Sequence, residues 1–275
     1  MKRLSELSPA LYRAAVEKNI VQRKLSDALS GARFAKEKQS EPLPVLIYRH
    51  NSLIRRTLGQ VDMRLQNNKA VSLGLAAPCV DGILIRPGET FSFWRLVGRC
   101  TAKRGFLPGM VLHNGTPGES VGGGMCQFSN LIHWMILHSD LTIVERHHHD
   151  DYDLFPDFGR QVPFGVGTSI LYNYLDYRFR NDTADTYQLL VHSDGDYLRG
   201  ELRCTSLPDH VWHVLCEDEY FSKEGDTWYR SNRVIRRKVD RATGKELSRQ
   251  LLQQPHARVC YAEEYIDPKK IRTEG

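Results

Sequence analysis

The chain has 275 residues, 41% of them apolar and 26% charged, with a formal net charge of +5. That length can bury a real hydrophobic core in one large domain or two modest ones, and the composition is that of an ordinary soluble globular protein. The mild positive balance permits contact with an acidic surface, but no aromatic–basic recognition motif accompanies it, so nucleic acid is not an expected partner. No run approaches the roughly 18–20 apolar residues that a membrane span needs. The opening "MKRLSELSPALYRAAVEKNIVQRKL" is broken by charges where a signal peptide would be continuously apolar, so the expected location is the cytoplasm. The six cysteines are scattered without a C-x-x-C pair. They are expected to be reduced rather than a disulfide framework or a zinc site.

In chain order, residues 9–38 read as an amphipathic helix. Pro9 suits its first turn, and Leu11, Ala15, Ile20, Leu25 and Leu29 form a loose apolar stripe. The stripe is expected to pack on the domain; the alternative is a helix for a membrane surface or a partner. "SEPLPV" at 40–45 reads as a linker, and residues 50–78 as a second helix. "DGILIRPGETFSF" gives strand, Pro-Gly turn and strand, and the glycine-rich stretch that follows reads mainly as loop. Residues 126–138 predict a helix burying Phe128, Leu131, Ile132, Met135 and Ile136. "LTIVERHHH" reads as a strand, two more meet at 181–185, and another covers 197–203. The remainder is β in flavour, with a hairpin turning at 242–245. The expected class is α+β: a helical segment at 1–40, a mixed central domain at 41–203 and a β-rich extension at 204–275.

The chemistry gathers around "ESVGGGMCQFSN". Cys126 falls in the first turn of its helix, where free amides and the positive end of the dipole favour a thiolate. Gly122, Gly123 and Gly124 leave room for a substrate, and their amides could hold an oxyanion. His133 lies about 10 Å along the helix and reads as a packed residue. His147 and His149 are better placed to serve as base. The helix climbs roughly 18 Å, and a strand returning antiparallel regains roughly 17 Å, with these two side chains sharing one face and His148 facing away. The triple histidine lacks a second ligand group for a metal, and no cofactor is expected. The acid that would orient the imidazole stays open among Glu145, Asp150, Asp151, Asp153 and Asp176. Ser92, between two aromatic residues, needs a partner for a buried hydroxyl.

"GILIRPGETFSFWRLVG", "GGGMCQFSNLIHWMILHSDLTIVERHHH" and "DYRFRNDT", in this order, resemble the VanW domain family over about residues 70–190. The later "WYRSNRVIRRKV" and "TGKEL" resemble the end of its shorter members. The resemblance implies a protein of cell-wall metabolism, similar in some relatives to L,D-transpeptidases that cross-link peptidoglycan stem peptides through a cysteine acyl-enzyme. Carried over by motif, the nucleophile would be Cys126, the base His147 or His149, and the nearby support Ser92, Gln127 and Ser129. The implied partner is a peptidoglycan stem peptide or its precursor. The alternative implied role is a non-catalytic accessory or binding protein. One departure stands out. Gly167, in "PFGVGTS", occupies the position at which relatives carry an acid, so an orienting acid would have to be Asp150 or Asp176.

Overall fold

The fold, in a computed structural model, is described for residues 8–56, 62–113, 116–148, 152–154, 156–157, 161–172 and 175–272. It is α+β. The first helix, α1 (Pro9–Leu29), starts where Ser8 caps the Leu11 amide. It stops nine residues short of the sequence expectation because Gly31 takes a left-handed turn (φ 68°), after which Arg33–Phe34 forms the short strand β1. Its apolar stripe does not pack as expected. Ile20 is buried, whereas Leu11, Leu25 and Leu29 face solvent.

The expected helix over 50–78 divides. Val45–Leu53 is strand β2, and α2 (Met63–Val80) begins where the Asp62 carboxylate accepts the Arg64 amide. β2 gains nearly its full length of pairing with β11 (Tyr197–Cys204), a long-range interaction that overrides local propensity. β3 (Ile83–Ile85), the Pro-Gly turn and β4 (Glu89–Ser92) follow as read from the sequence, and Ser92 caps the one-turn α3 (Phe93–Val97). The glycine-rich stretch is not mainly loop. It forms a two-stranded ribbon, β5 (Pro108–His113) with β6 (Thr116–Val121).

The cysteine-bearing helix α4 spans Cys126–Ile136, and β7 (Thr142–Glu145) returns antiparallel to β9 (Arg178–Arg180). Between them lies β8 (Tyr152–Asp153). β10 (Tyr187–Ser193) and β11 form a regular hairpin. The long strands β12 (His210–Glu224), β13 (Thr227–Asp240) and β14 (Glu246–Gln253) form a meander, with the second turn at the expected 242–245, and β15 (His256–Val259) closes the chain's sheets.

Three larger sheets result, ordered β1-β4-β9-β7, β2-β11-β10-β3 and β12-β13-β15-β8, with β14 pairing β13 beyond β15 along the edge opposite β12. Helices α2 and α4 pack on one face of the second sheet. Leu73, Ala76 and Val80 of α2, and Phe128, Leu131, Ile132 and Met135 of α4, meet Leu189, Leu198 and Leu202 of the strands in the main core. A smaller cluster of Trp134, Leu137, Val166 and Val234 continues that core into the C-terminal sheet. β8, from the middle of the chain, pairs in parallel with β15 at its end.

Candidate functional site

The glycine turn is built by a close backbone crossing. Gly123 passes directly over Gly109 of the β5–β6 ribbon, so a side chain on either would meet the other's backbone. Gly124 has φ 89°, and a Cβ there would lie 2.6 Å from the Lys69 side chain. The turn therefore needs glycine for packing, quite apart from any substrate. Two of its amides are engaged: Gly122 donates to the Leu107 carbonyl (3.0 Å) and Gly123 to that of Ser120 (2.9 Å). The Gly123 amide, expected to hold an oxyanion, is thus bonded within the turn. Gly124 backs onto Lys69, whose ammonium donates to Gln66 and whose pKa burial lowers to about 8. No sequence signal marked this lysine.

Cys126 is half-buried, with its thiol 3.9 Å from the Ile170 carbonyl. Burial pushes the thiol above its ordinary pKa despite the opposing backbone contacts of Ile170 and of Cys126 itself. The helix start favours an anion, but desolvation outweighs it here. None of the described histidines is hydrogen-bonded to this sulfur. His133 is buried against the Tyr177 hydroxyl (3.0 Å), and burial holds its pKa well below the ordinary value. It is the packed residue expected. His147 directs Nε2 to Glu145 (3.0 Å), while its carbonyl accepts the Ser169 amide (2.7 Å). His148, expected to face away, packs across Gly167, where a Cβ would lie 2.6 Å from its Nε2. The space that an acid at 167 would occupy is thus taken by imidazole. His149, Asp150 and Asp151 lie outside the described residues.

The other candidates near Cys126 fasten the helix. Gln127 donates to Ser52 and to the Leu53 carbonyl, both at 2.8 Å, pinning α4 to β2. Ser129 bonds to the Cys126 carbonyl and to the Thr168 hydroxyl, and Asn130 takes both the amide and the hydroxyl of Thr168. Together they fix the 168–170 stretch over the thiol.

Asp176 is buried and does not reach a histidine. One oxygen accepts the Ser92 hydroxyl (2.5 Å) and Arg178 Nε (2.7 Å); the other accepts the amides of Trp94 and Tyr177. It therefore joins "ETFSFW" to "DYRFRNDT". The end of the latter stretch is a clasp as well. Asn181 donates to the carbonyls of Ile85 and Asp185 and accepts the amide and hydroxyl of Thr183. The acid beside His147 is Glu145, which also accepts the Asp176 amide (2.9 Å) and pairs with Arg23.

Beside this hub lies a cavity of about 270 Å³ between α1 and the central sheets. Its helix side is Arg23, Lys24 and Asp27; its floor is Trp94, Arg95, Gly98, Tyr172, Asp176 and Arg178. Trp94 and Tyr172 meet edge to face at 5.5 Å. Arg178 grips Asp27 with two bonds (2.7 and 2.8 Å), and although burial raises the Asp27 pKa, Arg178, Arg23 and Arg95 hold it below the usual carboxylate range. Arg95 stacks over Phe34 (4.1 Å) and stands 3.6 Å from Asp27. Four cations and two carboxylates line it, and Glu145 behind them pairs with Arg23, so the balance of the wall is positive by one. Cys126 is not among the lining residues: its thiol touches Ile170, and Tyr172 of the same stretch is what faces the cavity.

The family profile described as "VanW like protein" matches residues 68–203, the region holding the glycine turn, Asp176 and the cavity floor. The chain is 33% identical over 231 residues to the Vancomycin B-type resistance protein VanW of Enterococcus faecalis, covering 84% of each chain. This chain belongs to the VanW family. It is also 30% identical over 117 residues to the uncharacterized protein YoaR of Bacillus subtilis, covering 42% of this chain and 36% of that protein. No solved structure matches this chain. Among the described residues, no helix is long and apolar enough to cross a membrane.

Proposed function

We propose that this VanW-family protein is a non-catalytic accessory protein of cell-wall metabolism or glycopeptide resistance, which binds peptidoglycan stem peptides or their precursors in the cavity between α1 and the central sheets. The observation that carries this reading is the cavity wall: an aromatic pair with Arg95 and Arg178 on a floor that lies within the family-matched residues 68–203, faced by Arg23 and Lys24 of α1. The end of a stem pentapeptide offers the matching chemistry, two small apolar side chains and a terminal carboxylate. An arginine–carboxylate bond is among the stronger neutral-pH contacts. Calorimetric titration with a synthetic stem pentapeptide tests the reading. Binding is expected to weaken about tenfold when the terminal carboxylate is amidated or when Arg95→Gln is introduced, and to be unchanged in Cys126→Ser. Equal affinity for the acid and the amide would refute it.

A second reading, acyl transfer through Cys126, is favoured by one observation, the placing of this thiol in the first turn of α4 behind the glycine turn. In that case Cys126 would attack an amide carbonyl, a histidine would carry the proton to the departing amine, and an acyl-enzyme heavier by the acyl group would be trapped. Intact-protein mass spectrometry after incubation with the pentapeptide separates the two readings. An adduct that vanishes in Cys126→Ser would establish the enzyme, and its absence at saturating peptide leaves the binding protein.

A further inference from the structure

The first helix is put together with its usual faces exchanged. At about 100° per residue, Val16, Ile20, Arg23 and Asp27 share the side turned to the body. There Ile20 is buried, Asp27 is gripped by Arg178 and Arg23 pairs with Glu145. A fourth tie, Glu17 to Arg99, lies at the edge (2.7 Å). Most of the helix's docking is therefore ionic. The large apolar residues lie elsewhere: Leu11, Val21, Leu25 and Leu29 fall within a single arc of roughly 80° on the solvent side. Their exposures are 46%, 55%, 58% and 86%. Scattered exposed leucines need no explanation, but four aligned on one helix face form a patch that folding does not use.

We infer that this face of α1 is a docking surface for an anionic lipid bilayer. The charges decide the occupant. The two acids of α1, Glu17 and Asp27, are both paired to the body, at Arg99 and Arg178. Lys18 stands within the apolar arc in an exposed position, whereas Lys24 belongs to the cavity side. The arc is thus apolar with one exposed lysine at its centre and no acid. A second copy of the same face would bring like charges together across a two-fold contact. A bilayer takes both kinds of group, since leucines enter the acyl boundary while lysine stems reach back to phosphate. The inference does not depend on the stem-peptide reading, because the cavity lies on the other side of the helix axis.

Vesicle sedimentation with the full-length chain tests it. Binding is expected to vesicles of phosphatidylcholine containing about 30% phosphatidylglycerol, to be much weaker to phosphatidylcholine alone, and to fall with salt. The double variant Val21→Glu, Leu25→Glu should lose about tenfold or more in partitioning. Both positions are exposed, so its thermal midpoint and its stem-peptide affinity should stay those of the parent chain. No sedimentation with anionic vesicles, or equal sedimentation of the variant, would overturn the inference. So would a dimer in sedimentation velocity that the double substitution dissolves while vesicle binding is nil.

Discussion

Cys126 shows how two local fields compete at one residue. The amides at the start of α4 and the helix dipole would lower a thiol's pKa, typically by an amount worth a kcal/mol or so, whereas removing a thiolate from water costs more. The net shift is upward. Alkylation of this residue in the folded protein should therefore be slow at pH 7 and should accelerate only above the ordinary thiol range of about 8.5. Mass mapping after iodoacetamide treatment across pH gives the answer. A reactive Cys126 at pH 6 would mean that the thiolate is activated after all and would favour the acyl-transfer reading. Asp176 is a contrasting residue, whose four bonds hold Ser92, Trp94, Tyr177 and Arg178 together. Asp176→Asn keeps the shape but removes the charge opposite a buried arginine. A loss of about 3 kcal/mol in urea unfolding is expected, since one partner of a buried pair is then missing.

At the scale of elements, α4 carries a pH dependence. His133 is buried within it and His138 lies just past its end, stacked on Tyr48 at 3.7 Å with Nδ1 on the Trp134 carbonyl. Burial disfavours both cations; it holds His138 at about 4 and His133 well below its ordinary value. In the unfolded chain each would titrate near 6.5. Between about 4 and 6.5 the unfolded state binds more protons, so stability is full above the upper value and declines as pH falls. For His138 alone the decline is on the order of 2–3 kcal/mol. A thermal midpoint that falls between pH 7 and 4.5, with a shallower fall in His138→Gln, is the expected result.

The same elements show what a sequence discloses. α4 was legible because Phe128, Leu131, Ile132, Met135 and Ile136 repeat at helical spacing against a single core, and all five are buried. β3 and β4 were legible from the Pro-Gly turn between them. β2 was not. Its residues Leu46 to Leu53 carry no strand punctuation, and their pairing partner lies some 150 positions later. The β5–β6 ribbon was hidden by its glycines, which suggested loop but are there because Gly109 and Gly123 cross. In the site, the spacing of His147 to Cys126 said nothing of Glu145, which turns the ring away. Asp176 and Arg178 stood in a recognisable motif, yet only the docking of α1 reveals that Arg178 meets Asp27.

For the molecule as a whole, the question is whether its parts fold together. Among the contacts that tie the C-terminal sheet to the centre, two are made by arginines of β13. Arg236 of β13 donates to the carbonyls of Leu137 and Ser139 at the end of α4. Arg230 is 1% exposed, lies between the rings of Phe164 and Phe221, and binds Asp153, Asp157 and Glu219. Two of those acids come from the middle of the chain and one from β12, so a single guanidinium joins segments separated by more than sixty residues. Arg230→Met keeps much of the apolar contact but leaves three carboxylates around a site that has lost its cation. The expected cost is about 3–5 kcal/mol near neutral pH. Scanning calorimetry reads the coupling directly. If β8 with β15, and Arg236 with α4, bind the sheet to the centre as one cooperative unit, the variant should show a single transition at lower temperature. Two transitions, with only the lower one moved, would mean that residues 204–275 unfold on their own and that Arg230 stabilises that part alone.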